Sequence, residues 1–353
     1  MRKPFLDNLR YGIVLLVIVY HVCYLFNSVG VVTNVVVPGI PAMDVVEYVL
    51  YPWFMPALFV ISGICARYTL ERKTDGQFLR SKLRRQMVPS VAVIILIGWA
   101  GGWVTNQYTD MFAGNGDAIP GAVKYLIWCF AGIGPMWFLH ELLLAEIVLV
   151  LLRQLDRKEW LWQLGEKVSF PAAVALLLLF WGSARILNTP VIEVYRNGIY
   201  LFSFLAGYLV FSHERVQAML AERAPLLLAA AGLLGITYTV RAWGENYAEP
   251  AHLKAFLTNA YGWMAILAAL GAGKRWLDRE TSFTRYFASR SFGFYVLHYP
   301  LLVLGAWFLD RVLHLPVWSM YLLLAVWAAA ILPPVVAIIK KIPVLRTLVL
   351  GEQ

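Results

Sequence analysis

Apolar runs of about 18 to 22 residues recur along this chain, each the length a helix needs to cross a bilayer at roughly 1.5 Å per residue. In hydrocarbon the backbone N–H and C=O groups have only each other to bond, so runs of this length fold as α-helices. The expected fold class is therefore all-α: a polytopic transmembrane helical bundle forming one domain over residues 1–353. About ten spans are expected, near 9–31, 45–66, 88–105, 136–152, 170–187, 198–212, 225–241, 254–272, 291–309 and 317–339. The stretch 120–132 is apolar but too short to span comfortably and reads as a re-entrant or interfacial helix. The first run is too long for a cleavable signal, and no small-residue cleavage site follows it. Charged residues make up only 14% of the chain, too few to coat a soluble domain.

An even span count puts both termini on one side, and the basic residues say which. Of the 30 Lys and Arg, 24 fall on the side of the termini and the other six are Lys124, Arg185, Arg196, Arg241, Lys254 and Arg311. That asymmetry makes both termini cytoplasmic and predicts a multi-pass protein of the plasma or inner membrane. The net charge of +9 is thus a topology signal, and no nucleic-acid partner is implied. Three cysteines, Cys23, Cys65 and Cys129, imply no disulfide framework, and no metal-spaced Cys/His cluster occurs.

Two residues in the first span are costly in lipid, Arg10 and His21. Eleven residues apart, they lie about three turns and roughly 20° from each other, so they share a face with Asp7, Tyr24 and Ser28. The axial offset of about 16 Å puts Arg10 at a membrane edge and His21 near the bilayer centre. Such a stripe lines a cavity shared with other helices rather than facing lipid. Arg10 alone would also serve as an interfacial anchor paired with Asp7, but a mid-membrane imidazole needs a partner.

The second span carries Pro52 and Pro56, which remove backbone donors and predict a kinked or unwound helix. After it, Phe78-Leu79-Arg80-Ser81-Lys82-Leu83-Arg84-Arg85 leads to Pro89, a basic amphipathic segment that either anchors on anionic lipid or grips a polyanionic cytosolic ligand. Span four opens with Trp137-Phe138-Leu139-His140-Glu141 and holds Glu146 at depth, and intramembrane carboxylates normally face the bundle. In span nine Ser291, Tyr295 and His298 share one face at helical spacing, with His298 at a depth close to that of His21. The loops on the outer side, with Asn106, Gln107, Tyr108, Asp110, Asn115 and Asp117 in one and Trp243, Glu245, Asn246, Tyr247 and Glu249 in another, mix aromatic faces with amides and carboxylates and suit a polyhydroxylated ligand.

Taken together, Leu6-Asp7-Asn8-Leu9-Arg10 with His21, Phe59-Val60-Ile61-Ser62-Gly63, the basic run ending in Pro89, Met136-Trp137-Phe138-Leu139 and Tyr295-Val296-Leu297-His298-Tyr299-Pro300 resemble the acyltransferase-3 family of integral-membrane acyltransferases. The likeness runs in order from Leu6 to about Pro300, and the Arg–ten residues–His element is its most specific piece. The Met55-Pro56 start of the second motif is similar to the branch that includes glucan-modifying succinyltransferases.

The resemblance implies an O-acyltransferase that moves an acyl group from cytosolic acyl-CoA, with acetyl-CoA and succinyl-CoA as candidate donors, to a hydroxyl of an extracytoplasmic carbohydrate or other acceptor. No metal is called for. In that reading His21 either deprotonates the acceptor hydroxyl or first takes the acyl group, and His298 relays the proton or positions the acceptor. Arg10, Arg84 and Arg85 are the candidate acyl-CoA contacts through its phosphates or pantetheine arm. Tyr24, Glu141 and Tyr295 are the candidate substrate contacts. The alternative class is a transporter or flippase for a polar or lipid-linked solute, which would also place His and Glu inside the membrane. No inverted repeat is detectable, and the basic residues gather on the side where CoA resides.

Overall fold

The structure is a computed structural model that describes residues 3–186 and 196–352; Arg2 and residue 187, the expected end of the fifth span, lie outside them. Every regular element among the described residues is helical. The first eight are α1 (Pro4–Tyr24), α2 (Val45–Leu50), α3 (Phe54–Leu70), α4 (Asp75–Lys82), α5 (Val88–Val93), α6 (Trp99–Tyr108), α7 (Gly121–Ala131) and α8 (Trp137–Leu155). They are followed by α9 (Trp160–Glu166), α10 (Phe170–Ala175), α11 (Leu177–Ile186), α12 (Asn197–Ala206), α13 (Glu214–Glu222) and α14 (Ala224–Ala242). The chain closes with α15 (Pro250–Lys254), α16 (Phe256–Trp276), α17 (Ser282–Ala288), α18 (Ser291–Trp307), α19 (Val317–Lys341) and α20 (Pro343–Leu350). Among the described residues eight helical stretches are long and apolar enough to cross a membrane; Gly121–Ala131, Phe170–Arg185 and Asn197–Phe211 are shorter. The polytopic helical bundle is as expected, with the fifth and sixth expected spans falling among the shorter helices.

Two of the expected spans differ in detail. The first helix runs Pro4–Tyr24 rather than 9–31. Asn27 ends it: its Nδ2 donates to the Tyr24 carbonyl at 3.0 Å and the Val31 carbonyl at 2.8 Å, while its Oδ1 accepts from the Val31 N–H at 2.9 Å. The valines beyond are apolar without being helical, because Gly30 turns the chain at φ 78°. His21 consequently stands in the last turn of α1, on the same continuous helix as Arg10. The second span breaks at Tyr51–Trp53, between α2 and α3, where Pro52 and Pro56 made an interruption the expected outcome.

The described chain separates into two compact units. One comprises Met1–Ile13, Tyr48–Arg80 and Glu141–Ala288; the other comprises Val14–Glu47, Ser81–His140 and Ser289–Gln353. In the first unit α3 crosses α12, and α16 packs on α13 and α14. The α3–α12 crossing is close because neither chain carries a side chain there: a Cβ on Gly63 would meet the Phe204 carbonyl oxygen at 2.0 Å, and one on Gly207 the Val60 oxygen at 2.2 Å. Trp263 is fully buried and donates its Nε1–H to the Ala173 carbonyl at 3.0 Å.

The second unit is built on α18 and α19, with α6 packed on α7 and α18 and with α20 on α5. α19 buries Tyr321, Leu324, Leu332 and Val336 while exposing Trp318, Leu322, Val326 and Ile338. A helix apolar on its buried and exposed faces alike has lipid as its solvent.

Candidate active site

The second unit brings together the two imidazoles that the sequence singles out on different helices. His298 Nε2 lies 3.2 Å from His21 Nδ1, with ring centroids 5.0 Å apart. His298 is fully buried, and His21 as a whole residue is half-buried. The pair is oriented by the backbones of its own helices: His298 Nδ1 is 2.6 Å from the Tyr295 carbonyl and 3.1 Å from that of Phe294, and His21 Nδ1 is 2.8 Å from the Val17 carbonyl.

Carbonyl oxygens only accept, so these contacts select the tautomers. Nδ1 of His298 carries the proton, which makes its Nε2 an acceptor toward His21. Nδ1 of His21 is likewise protonated and is shared between the Val17 carbonyl and His298 Nε2. The lone pair of the His21 ring therefore sits on Nε2, the nitrogen that neither helix engages. A neutral imidazole held this way can take up a proton at Nε2, and its cation keeps an acceptor at the opposite nitrogen.

Tyrosines wall the pair. Tyr299 meets the His21 ring edge-on at 5.0 Å, and Tyr24 meets it at 5.6 Å. Tyr24 donates its hydroxyl to the Val32 carbonyl at 2.7 Å. Tyr295 donates to the Pro135 carbonyl and packs its ring on Phe138 at 5.5 Å, so its phenol is fixed while its own carbonyl holds His298. The sequence reading passed over Tyr299 as a site residue and missed Asn34 entirely. Tyr299 donates to Asn34 Oδ1 at 2.5 Å, and Asn34 Nδ2 donates to Thr105 Oγ1 at 2.7 Å. Tyr299 could have been found as the neighbour of His298; Asn34 lies in irregular chain with no periodicity to mark it.

The other nominated residues stand elsewhere. Arg84 and Arg85 are exposed, on the π-helical turn Leu83–Met87 of the second unit. Arg10 and Glu141 belong to the first unit. Arg10 shares α1 with His21, as expected, and donates to Cys65 Sγ at 3.0 Å while standing 3.4 Å from Asp7 Oδ1. Among the loop residues nominated for ligand contact, several are committed to packing. Tyr108 donates to Asp310 at 2.7 Å, Tyr247 is buried, and Glu245 pairs with His252 at 2.6 Å. Among the described residues no group of three metal-ligating side chains occurs.

Known proteins resemble the chain over most of its length. Glucans biosynthesis protein C of Escherichia coli strain SMS-3-5 is 24% identical over 327 residues, which are 87% of this chain and 84% of that protein. The proteins of the same name from Salmonella agona strain SL483 and Salmonella paratyphi B strain ATCC BAA-1250 / SPB7 are 22% and 23% identical over 331 residues, again 87% of this chain and 84% of each relative. No solved structure matches it. The family model described as an acyltransferase domain matches residues 3–338, and with that coverage the chain belongs to the acyltransferase-3 family.

Proposed function

We propose that this membrane acyltransferase transfers an acyl group from acyl-CoA to a hydroxyl of a carbohydrate acceptor, with His21 as the base. The observation that carries the reading is the tautomer lock: His21 Nδ1 is held 2.8 Å from the Val17 carbonyl and 3.2 Å from His298 Nε2, which leaves Nε2 to take a proton. The names of the glucan-biosynthesis relatives support a glycan as acceptor.

In the reaction the acceptor oxygen attacks the thioester carbonyl as His21 Nε2 removes its proton. A C–O bond forms, the C–S bond breaks, and the departing thiolate recovers the proton from the imidazolium. His298 touches neither substrate: its Nε2 accepts from His21 Nδ1–H and steadies the imidazolium, which makes it a positioning residue. In this proposal Tyr24 and Tyr299, whose rings meet that of His21, border the acceptor. Arg84 and Arg85 are proposed to hold the phosphates of CoA, because exposed guanidinium groups bind phosphate bidentately. Arg10 as a donor contact and Glu141 as an acceptor contact are separate proposals.

The test is free-thiol release and acyl transfer by purified protein given acetyl-CoA, succinyl-CoA and a panel of glycans. We expect His21→Ala to lose roughly 10²–10⁴-fold in turnover with the fold retained. Turnover in His21→Ala equal to wild type, or protein-dependent solute uptake into vesicles without any thiol release, would overturn the reading in favour of transport.

A further inference from the structure

The first unit contains a cation that the chemistry above does not use. Arg196 opens α12 and is 1% exposed, among the largest fully buried side chains of the molecule. Its Nε and Nη2 make no hydrogen bond, and among the described residues no carboxylate lies within the 4.0 Å of an ion pair. An aromatic cluster adjoins it. The guanidinium carbon lies 5.9 Å from the centroid of Tyr51, whose ring continues through Tyr247 and Tyr48 to Tyr238 of α14 in one aromatic cluster, and Tyr200 stands one turn along α12. The Tyr238 hydroxyl is itself buried without a partner.

A ring face at this distance attracts the cation but accepts none of its N–H groups, which lie in the guanidinium plane. Burying an arginine with donors unanswered is strongly unfavourable, so a fold that keeps one has something for it to hold. The rings are fixed by their own stacking: Tyr200 lies on Phe59 at 4.7 Å and 14°, and Tyr238 on Tyr261 at 5.7 Å and 28°. The unanswered Nε and Nη2 of one guanidinium form a forked donor set for one oxyanion, and the unpartnered phenol O–H of Tyr238 belongs to the same aromatic cluster. One positive charge balances a carboxylate. A phosphate monoester, with about −1.5 to −2 charge at neutral pH, would remain under-neutralised.

We propose that Arg196, with Tyr51, Tyr200 and Tyr238, forms a binding site for a carboxylate-bearing small molecule, through the guanidinium Nε and Nη2 and the Tyr238 hydroxyl. The site is defined by binding alone, so its fate is separable from that of the His21 chemistry.

The experiment titrates sodium acetate into purified full-length protein in lipid nanodiscs, at ionic strength held constant with sodium chloride, and follows thermal unfolding together with intrinsic fluorescence. Wild type should gain in melting temperature with a saturable acetate dependence that chloride does not reproduce. Tyr238→Phe, which removes one hydroxyl and keeps the ring, should weaken acetate binding several-fold. Arg196→Lys, which keeps the charge and loses the fork, should weaken it at least tenfold. Identical acetate and chloride curves for wild type would overturn the proposal, as would unchanged acetate binding in Tyr238→Phe, the variant whose folding is least at risk. Tighter binding of inorganic phosphate than of acetate, lost in the same variants, would overturn the carboxylate assignment and make the site a phosphate site.

Discussion

The His21–His298 contact assigns different duties to two chemically identical side chains. Each ring has one nitrogen tied to a backbone carbonyl of its own helix, so the difference lies in the second nitrogen: that of His298 is spent on His21, and that of His21 is engaged by neither helix. Replacing His298 should therefore lower kcat while leaving KM for both substrates nearly unchanged. We expect roughly 10²-fold or more in His298→Ala and a smaller loss in His298→Gln, whose amide oxygen can still accept from His21. Steady-state kinetics on both variants checks this; equal losses in kcat and KM would mark His298 as a packing residue. Tyr299→Phe, which frees Asn34 from its 2.5 Å hydrogen bond, should cost activity with little change in melting temperature. Arg84→Ala combined with Arg85→Ala should weaken binding of CoA more than of dephospho-CoA, measured by calorimetry, if the guanidinium groups read phosphate.

Helix pairs in the second unit approach through glycines, and the space there is finite. A Cβ on Gly132 would stand 1.8 Å from the Gly98 carbonyl oxygen, and one on Gly102 would stand 2.2 Å from that of Trp128, whereas a Cβ on Gly121 meets nothing within 4 Å. Gly132→Ala should accordingly cost about 1–3 kcal/mol or prevent folding, and Gly121→Ala should leave the melting temperature in detergent unchanged. In the first unit, Glu159 joins two elements by accepting from Arg67 at 2.8 Å and from Arg153 at 3.2 Å. Those partners, the hydrogen bond from Arg67 first, hold its carboxyl below the usual carboxylate range. A depressed folded-state pKa adds stability above the unfolded value of about 4.3, and that stability fades as pH falls through the folded value. The melting temperature of wild type should drop over that acid window, and Glu159→Gln should remove this part of the dependence.

At the scale of the whole molecule, the placement of 24 of 30 basic residues on one side predicts a single orientation in the membrane. With Cys23, Cys65 and Cys129 replaced, Asn115→Cys should react with a membrane-impermeant maleimide in intact cells and Thr281→Cys only after permeabilisation; the reverse pattern would invert the topology. The apolar runs by themselves determined an all-helical bundle, because hydrocarbon leaves the backbone no other way to satisfy its hydrogen bonds. The two imidazoles were legible for a related reason, since an ionisable group inside an apolar run has to be explained by function or by a partner. The end of α1 was not legible: its apolar run continues past Tyr24, and what stops the helix is the side chain of Asn27 bonding to carbonyls ahead of and behind it. Nor could sequence show that His298 meets His21 across a separation of 277 positions, that Asn34 anchors Tyr299, or that Arg196 is buried with donors unanswered. Periodicity records which way a residue points along its own helix. Which residue of another helix it finds there is decided by how closely the helices pack, and only the tertiary structure fixes that.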